Sequence, residues 1–280
     1  EDGVGPREKR PVKFDLAWEA EEPNQFGTDE FIAFCREVGA EPYICVNAGS
    51  GTPEEAAHWV EYCNRRGTSL YASKRVENGH PEPFNVKYWG IGNEVYGAWQ
   101  IGHMDAADYA KIAVEFAKLM RRVDPTIKLV AVGCDQSDWN YEVLRTAGEH
   151  VDYISLHKYY GHEEDYYTVV ASPLDAERSL KHLSGLIDAA MATKKRRVEI
   201  AFDEWNVWRK EANRETGYTQ KSTLQDGIFA AGIFHALHRL CKSVTMANLA
   251  QLINVLPAIV TNEKGLYVNP IYLAFKLYVN

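Results

Sequence analysis

Two glutamates carry the chemistry this sequence can be asked to perform. Glu94 closes the run Val86-Lys87-Tyr88-Trp89-Gly90-Ile91-Gly92-Asn93-Glu94. Glu204 lies in Val198-Glu199-Ile200-Ala201-Phe202-Asp203-Glu204-Trp205-Asn206-Val207-Trp208. Each follows an apolar, strand-like stretch and each is followed by aromatics. Carboxylates this far apart in sequence converge when both sit at the same end of a parallel barrel. There one protonates a leaving group while the other attacks or activates water, the minimal equipment for cleaving a glycosidic bond.

A lone Glu after a strand is usually a solvated loop residue, so the neighbours decide. Beside Glu94, the Asn93 amide can donate to a sugar hydroxyl, and Gly92 lets the backbone approach a ligand. Glu204 reads as an acid inside an aromatic wall of Phe202 and Trp205, which would desolvate the carboxyl and stack on sugar faces. Asp203 reads as a structural hydrogen-bond acceptor, with strand alternation making it a rival nucleophile. His157 opens Ser155-Leu156-His157-Lys158-Tyr159-Tyr160-Gly161; a lone His at a strand end is more often structural, but adjacent phenols can orient a carboxylate nucleophile. No His-x-His or His-Glu-x-x-His occurs, and His162-Glu163-Glu164-Asp165 reads as a solvated loop. Neither a dinucleotide fingerprint nor a phosphate-binding Gly-Lys loop is found. No metal and no cofactor are expected.

These side chains need a frame, and strand and helix signals alternate to supply one. Strands are expected over 42–47, 86–92, 127–133, 151–157, 197–202 and 244–249. Between them fall helices over 28–38, from Thr52 to about Arg66, from Asp105 to about Val123, near 141–149, from Ser172-Pro173 to about Lys194, and over 223–241. Thr52-Pro53-Glu54-Glu55 is a capping box with proline at the first helical position. Such alternation means an α/β fold with a parallel sheet and helices outside it. Active groups then gather beyond the carboxyl ends of the strands. Asn47, Asn93, Glu94, Asp135, His157, Asp203, Glu204 and Gln251 all end strands.

The chain has 280 residues, 46% of them apolar, enough for a substantial core. No apolar run reaches the roughly 18 residues of a membrane span. A formal net charge of −8 without a basic stripe argues against nucleic acid. Arg65-Arg66, Arg121-Arg122 and the run from Lys194 to Arg197 sit at expected helix ends, where cations complement the dipole. Five scattered cysteines with no Cys-x-x-Cys suit a reducing compartment, so a cytoplasmic location is expected.

With these residues in view, the chain resembles family 51 glycoside hydrolases, the group dominated by α-L-arabinofuranosidases. The resemblance spans nearly its whole length. It is densest in Glu1-Asp2-Gly3-Val4-Gly5-Pro6, in Gly92-Asn93-Glu94 with Gly97-Ala98-Trp99-Gln100-Ile101-Gly102-His103, in Val123-Asp124-Pro125-Thr126-Ile127, in Asp152 to His157 with Tyr159-Tyr160-Gly161, and in Phe202 to Trp208. It implies a retaining hydrolase on a (β/α)8 TIM barrel, with Glu94 as acid/base after strand four and Glu204 as nucleophile after strand seven. It further implies that Asn93 holds the sugar 2-hydroxyl, that Tyr159 supports the nucleophile and that Gln251 lines the sugar subsite. Asn47, His157 and Trp99 are the remaining candidates for substrate contact.

Six strands correspond to strands three to eight of such a barrel, so residues 1–280 are expected to form one partial catalytic domain. Two strands would lie upstream and a β-sandwich beyond. Such a piece is expected to be aggregation-prone or molten, and inactive when alone. The expected activity of the parent is exo-acting removal of terminal arabinofuranosyl groups from oligo- and polysaccharides by double displacement. A xylosidase or endoglucanase of the same clan, and a non-catalytic carbohydrate-binding or structural fragment, stand as alternatives. An arabinose-containing oligosaccharide is the expected partner, and a homo-oligomer of the full-length parent is left open.

Overall fold

Local signals of capping and burial build two compact units in the computed structural model. It describes residues 3–162, 165–194 and 196–279. Glu1 and Asp2 of the N-terminal motif, Glu163 and Glu164 of the acidic loop, and Lys195 of the basic run lie outside these residues. One unit holds the described residues through 132 together with 138–153, and the other holds 133–137 and the described residues from 154 onward.

The first unit opens with a hairpin, β1 (Lys13–Asp15) and β2 (Ala20–Glu22), which the sequence reading does not include. There follow α1 (Thr28–Glu37), β3 (Tyr43–Val46), α2 (Pro53–Asn64), α3 (Leu70–Glu77), β4 (Tyr88–Ile91), α4 (Ala106–Val123), β5 (Lys128–Ala131) and α5 (Ser137–Ala147). Strands β3, β4 and β5 lie side by side and parallel. The capping box forms as expected: Glu55 N–H donates to Thr52 Oγ1 at 3.2 Å, and Thr52 N–H donates to Glu55 Oε2 at 2.8 Å. Asp105 caps α4 by accepting from Asp108 N–H at 2.9 Å. Helix α3 occupies what reads in sequence as a long loop. Its Arg75 is 1% exposed and donates to the Tyr62 carbonyl at 2.6 Å, so a charged residue stands where the helical pattern calls for an apolar one.

The second unit comprises β6 (Tyr153–Tyr160), α6 (Tyr166–Ala171), α7 (Pro173–Ala190), β7 (Glu199–Val207), α8 (Leu224–Arg239), β8 (Val244–Leu249), the hairpin of β9 (Ile259–Asn262) with β10 (Gly265–Val268), and α9 (Pro270–Tyr278). Strands β6, β7 and β8 are neighbours in that order, and β7 pairs parallel with β8. The six expected strands are therefore present, three in each unit. Strands β6 and β7 run further than expected, because tertiary burial extends them past the apolar stretch. Trp205 is 1% exposed and stacks between Phe202, at 6.2 Å, and Phe275 of α9, at 6.0 Å, with the edge of Phe234 at 5.9 Å. Burying one such ring contributes several kcal/mol, on the order of 25 cal/mol per Å² of apolar surface. Among the described residues no helix is long and apolar enough to cross a membrane.

Candidate active site

In the first unit the β4 strand ends in a turn that two conformational requirements shape. Gly92 has φ +81°, and a Cβ there would lie 2.8 Å from the Cβ of Ala48, so only glycine serves. Glu94 itself has φ +47°, a left-handed conformation costing on the order of 1–3 kcal/mol for a residue with a side chain. Such backbone is retained where surrounding structure over-determines it, which is common at functional sites. The carboxylate of Glu94 accepts from Trp99 Nε1 at 3.0 Å and from the Tyr96 hydroxyl at 3.3 Å. Trp99 is 66% exposed and meets Tyr96 edge-on at 6.0 Å. Just beyond it, Gly102, at φ +75°, packs where a Cβ would stand 2.2 Å from the Gly49 carbonyl. That contact ties the loop after β4 to the loop after β3. Asn93 is exposed beside Glu94.

Asn47 is also exposed, but its polar atoms serve its own loop. Its Oδ1 accepts from Gly49 N–H and Ser50 N–H, each at 3.0 Å, and its Nδ2 donates to Ser50 Oγ at 3.0 Å. This is a local side-chain turn that shapes the backbone after β3. Tyr96 was not singled out in the sequence, although its place two residues after Glu94 in an aromatic run was the available signal.

In the second unit, strand alternation along β6 sorts the residues after Leu156. Lys158 and Tyr160 share one face: Lys158 Nζ pairs with Asp135 at 2.7 Å and Asp175 at 2.8 Å, and the Tyr160 hydroxyl donates to Asp175 at 3.0 Å. Burial alone would lower the Lys158 pKa, but the two carboxylates raise it above the usual lysine value. Asp135, a candidate at a strand end, is thereby held in an ion pair. His157 and Tyr159 share the other face and both meet Glu204. The Tyr159 hydroxyl donates to Glu204 Oε1 at 2.5 Å, and His157 Nδ1 lies 3.4 Å from Glu204 Oε2. On the far side of the ring, His157 Nε2 lies 3.4 Å from Asp203 Oδ1.

Two readings of this region change. Glu204 stands inside β7, not beyond its end. Phe202 and Trp205 do not wall the carboxylate or offer a sugar platform, because both are buried against other aromatic rings. The ring beside Glu204 is that of Tyr159, which Trp208 meets edge-on at 5.0 Å. Trp208 donates from Nε1 to the Ala212 carbonyl at 2.8 Å, and with Tyr159, Tyr218 and Asn213 it lines a groove of about 450 Å³.

Gln251 is exposed just after β8, joined to Ala250 by a cis peptide bond. Asn206 is fully buried and donates to the Ala250 carbonyl at 2.6 Å and the Leu256 carbonyl at 2.9 Å, clamping the loop that carries Gln251. The sequence reading missed Asn206, since a polar residue amid Trp205 and Val207 gives no hint that its partners lie some 50 positions away.

Comparison with known proteins gives this geometry its context. Residues 1–177 match the family model of the alpha-L-arabinofuranosidase 1 domain, and residues 203–280 match that of the alpha-L-arabinofuranosidase C-terminal domain. The chain belongs to the α-L-arabinofuranosidases of glycoside hydrolase family 51. It is similar to a solved alpha-L-arabinofuranosidase from Thermotoga maritima in complex with arabinose, at 52% identity and a TM-score of 0.95, covering 100% of this chain and 57% of that one. A probable alpha-L-arabinofuranosidase C from Aspergillus clavatus is 40% identical over 98% of this chain and 59% of its own length. An intracellular exo-alpha-(1->5)-L-arabinofuranosidase from Acetivibrio thermocellus is 38% identical over 95% of this chain and 57% of its own. The chain thus spans less than two thirds of these relatives. Its α/β fold is that of a (β/α)8 barrel, represented here by six β/α units.

Proposed function

We propose that the protein is a retaining, exo-acting α-L-arabinofuranosidase that removes terminal arabinofuranosyl groups from oligo- and polysaccharides. Glu204 attacks the anomeric carbon and forms a covalent arabinosyl-enzyme; Glu94 protonates the departing oxygen and then takes a proton from the incoming water. The observation that carries this reading is the Tyr159 hydroxyl donating at 2.5 Å to a Glu204 carboxylate set within β7. Such a hydrogen bond orients a nucleophile's lone pairs and favours its ionised form.

Asn93, exposed beside Glu94, is assigned to the sugar 2-hydroxyl, and Gln251, on the loop clamped by Asn206, to the sugar subsite. Trp99 braces the Glu94 carboxylate through its indole N–H. Asn47, exposed after β3, is assigned to substrate contact from the loop that its own side chain shapes. A cytoplasmic location is part of this proposal, supported by the free cysteines, two of them exposed, and by the intracellular relative.

Hydrolysis of a panel of chromogenic glycosides tests the proposal. Turnover of the α-L-arabinofuranoside well above the β-D-xyloside and β-D-glucoside is expected. Preference for either of the latter would move the protein to another activity of the clan. Binding of arabino-oligosaccharides by calorimetry without any turnover would make it a carbohydrate-binding protein.

A further inference from the structure

Successive side chains of a regular strand point to opposite faces, yet Asp203 and Glu204 both reach the ring of His157. The register explains it. Between Phe202 and Trp205 three positions of β7 span two of β8, a bulge that re-aims the intervening side chains. The His157 and Asp203 side chains are 6% and 8% accessible, and that of Glu204 is 26%. The His157 ring stands between the two carboxylates, 3.4 Å from an oxygen of each, where a protonated imidazole would face an opposite charge on either side.

We infer that Asp203 and His157 are a positioning pair for Glu204. Asp203 holds His157 as an imidazolium, and that cation stabilises the Glu204 carboxylate as it leaves the sugar. The inference rests on the retaining reading above. In the first step a Glu204 oxygen bonds to the anomeric carbon and the bond to the aglycone oxygen breaks. The electron pair leaves with that oxygen, which takes the proton of Glu94.

Glu204 is now a neutral ester, and a lone imidazolium beside it would be a stranded buried charge, which is costly. Asp203 removes that cost, because the His157–Asp203 pair is neutral as a whole. In the second step water oxygen bonds to the anomeric carbon and its proton passes to Glu94. The electron pair of the ester bond returns to Glu204, beside the cation. The pair therefore acts chiefly on the departure of Glu204.

Steady-state and rapid-mixing kinetics of the intact protein on 4-nitrophenyl α-L-arabinofuranoside test this, using Asp203→Asn and His157→Gln. Each variant is expected to lower kcat about 10- to 100-fold, the usual worth of a charged partner on a carboxylate. KM should fall in parallel, leaving kcat/KM within about threefold, since the first step keeps its nucleophile. A stoichiometric burst of nitrophenol should accompany this as the arabinosyl-enzyme accumulates, and Asp203→Glu should recover part of kcat.

A kcat/KM that collapses together with kcat, with no burst, would overturn the inference and leave the pair a mere brace for the strand. If Asp203→Asn melts early and cannot be assayed, His157→Gln decides alone by the same two readings. Failure of the retaining reading would look different: the unsubstituted protein would lack arabinofuranosidase activity, or Glu204→Ala would keep it.

Discussion

Glu94 stands on a left-handed turn beyond β4, braced by an indole that is two-thirds exposed, whereas Glu204 stands inside β7, gripped from β6 by a phenol and an imidazole. The contrast matches the work each is assigned. A nucleophile must meet one carbon along one line, so it profits from a strand that neighbouring strands hold on both sides. A proton carrier has to serve a leaving group and then a water, and a solvent-facing turn suits that exchange. The energies differ too: the turn stores strain at Glu94, while β7 is anchored by the buried Trp205 and Asn206 next to Glu204.

The comparison can be broken most sharply at the nucleophile. Glu204→Ala should abolish turnover of even activated aryl arabinofuranosides, a loss of about 10⁴-fold or more in kcat, because no covalent intermediate can form. Glu94→Ala should cost about 10²- to 10⁴-fold on natural oligosaccharides but far less on substrates with good leaving groups, which need little protonation. Equal losses on both substrate types would contradict the acid assignment.

Between these extremes lie the partners. Tyr159→Phe removes a charge-assisted hydrogen bond in a shielded site and should lower kcat about 10- to 100-fold. Trp99→Phe removes one at an exposed position and should cost only about two- to fivefold on the same substrate. If Trp99→Phe proved the more damaging, the supposed difference between a rigid and an adaptable carboxylate would be wrong. The smallest effect is expected away from both: Thr52→Ala in the capping box of α2 should lower stability by about 1 kcal/mol in chemical denaturation and leave kinetics unchanged. A crystal structure of the intact protein adds one geometric check. The Glu94 and Glu204 carboxyl carbons are expected to lie about 5 Å apart, and a separation near 9 Å would favour an inverting mechanism.

What the sequence determined by itself is what short-range chemistry determines. Thr52-Pro53-Glu54-Glu55 and Asp105 start their helices because a cap satisfies backbone groups within three residues of itself. Six apolar runs separated by amphipathic ones announce a β/α order, and the paired motifs around Glu94 and Glu204 announce the family.

The rest needed partners remote in the chain. That β7 continues to Val207 depends on β8 and on the rings of α8 and α9, so Trp205 reads as a sugar platform in sequence and is core in fact. Helix α3 is hidden because one of its two buried positions is filled by Arg75, whose hydrogen bonds go to backbone carbonyls outside the helix. The bulge that turns Asp203 and Glu204 toward one imidazole is a mismatch of register between two strands. Register is a property of the pair, and neither strand's own residues encode it alone.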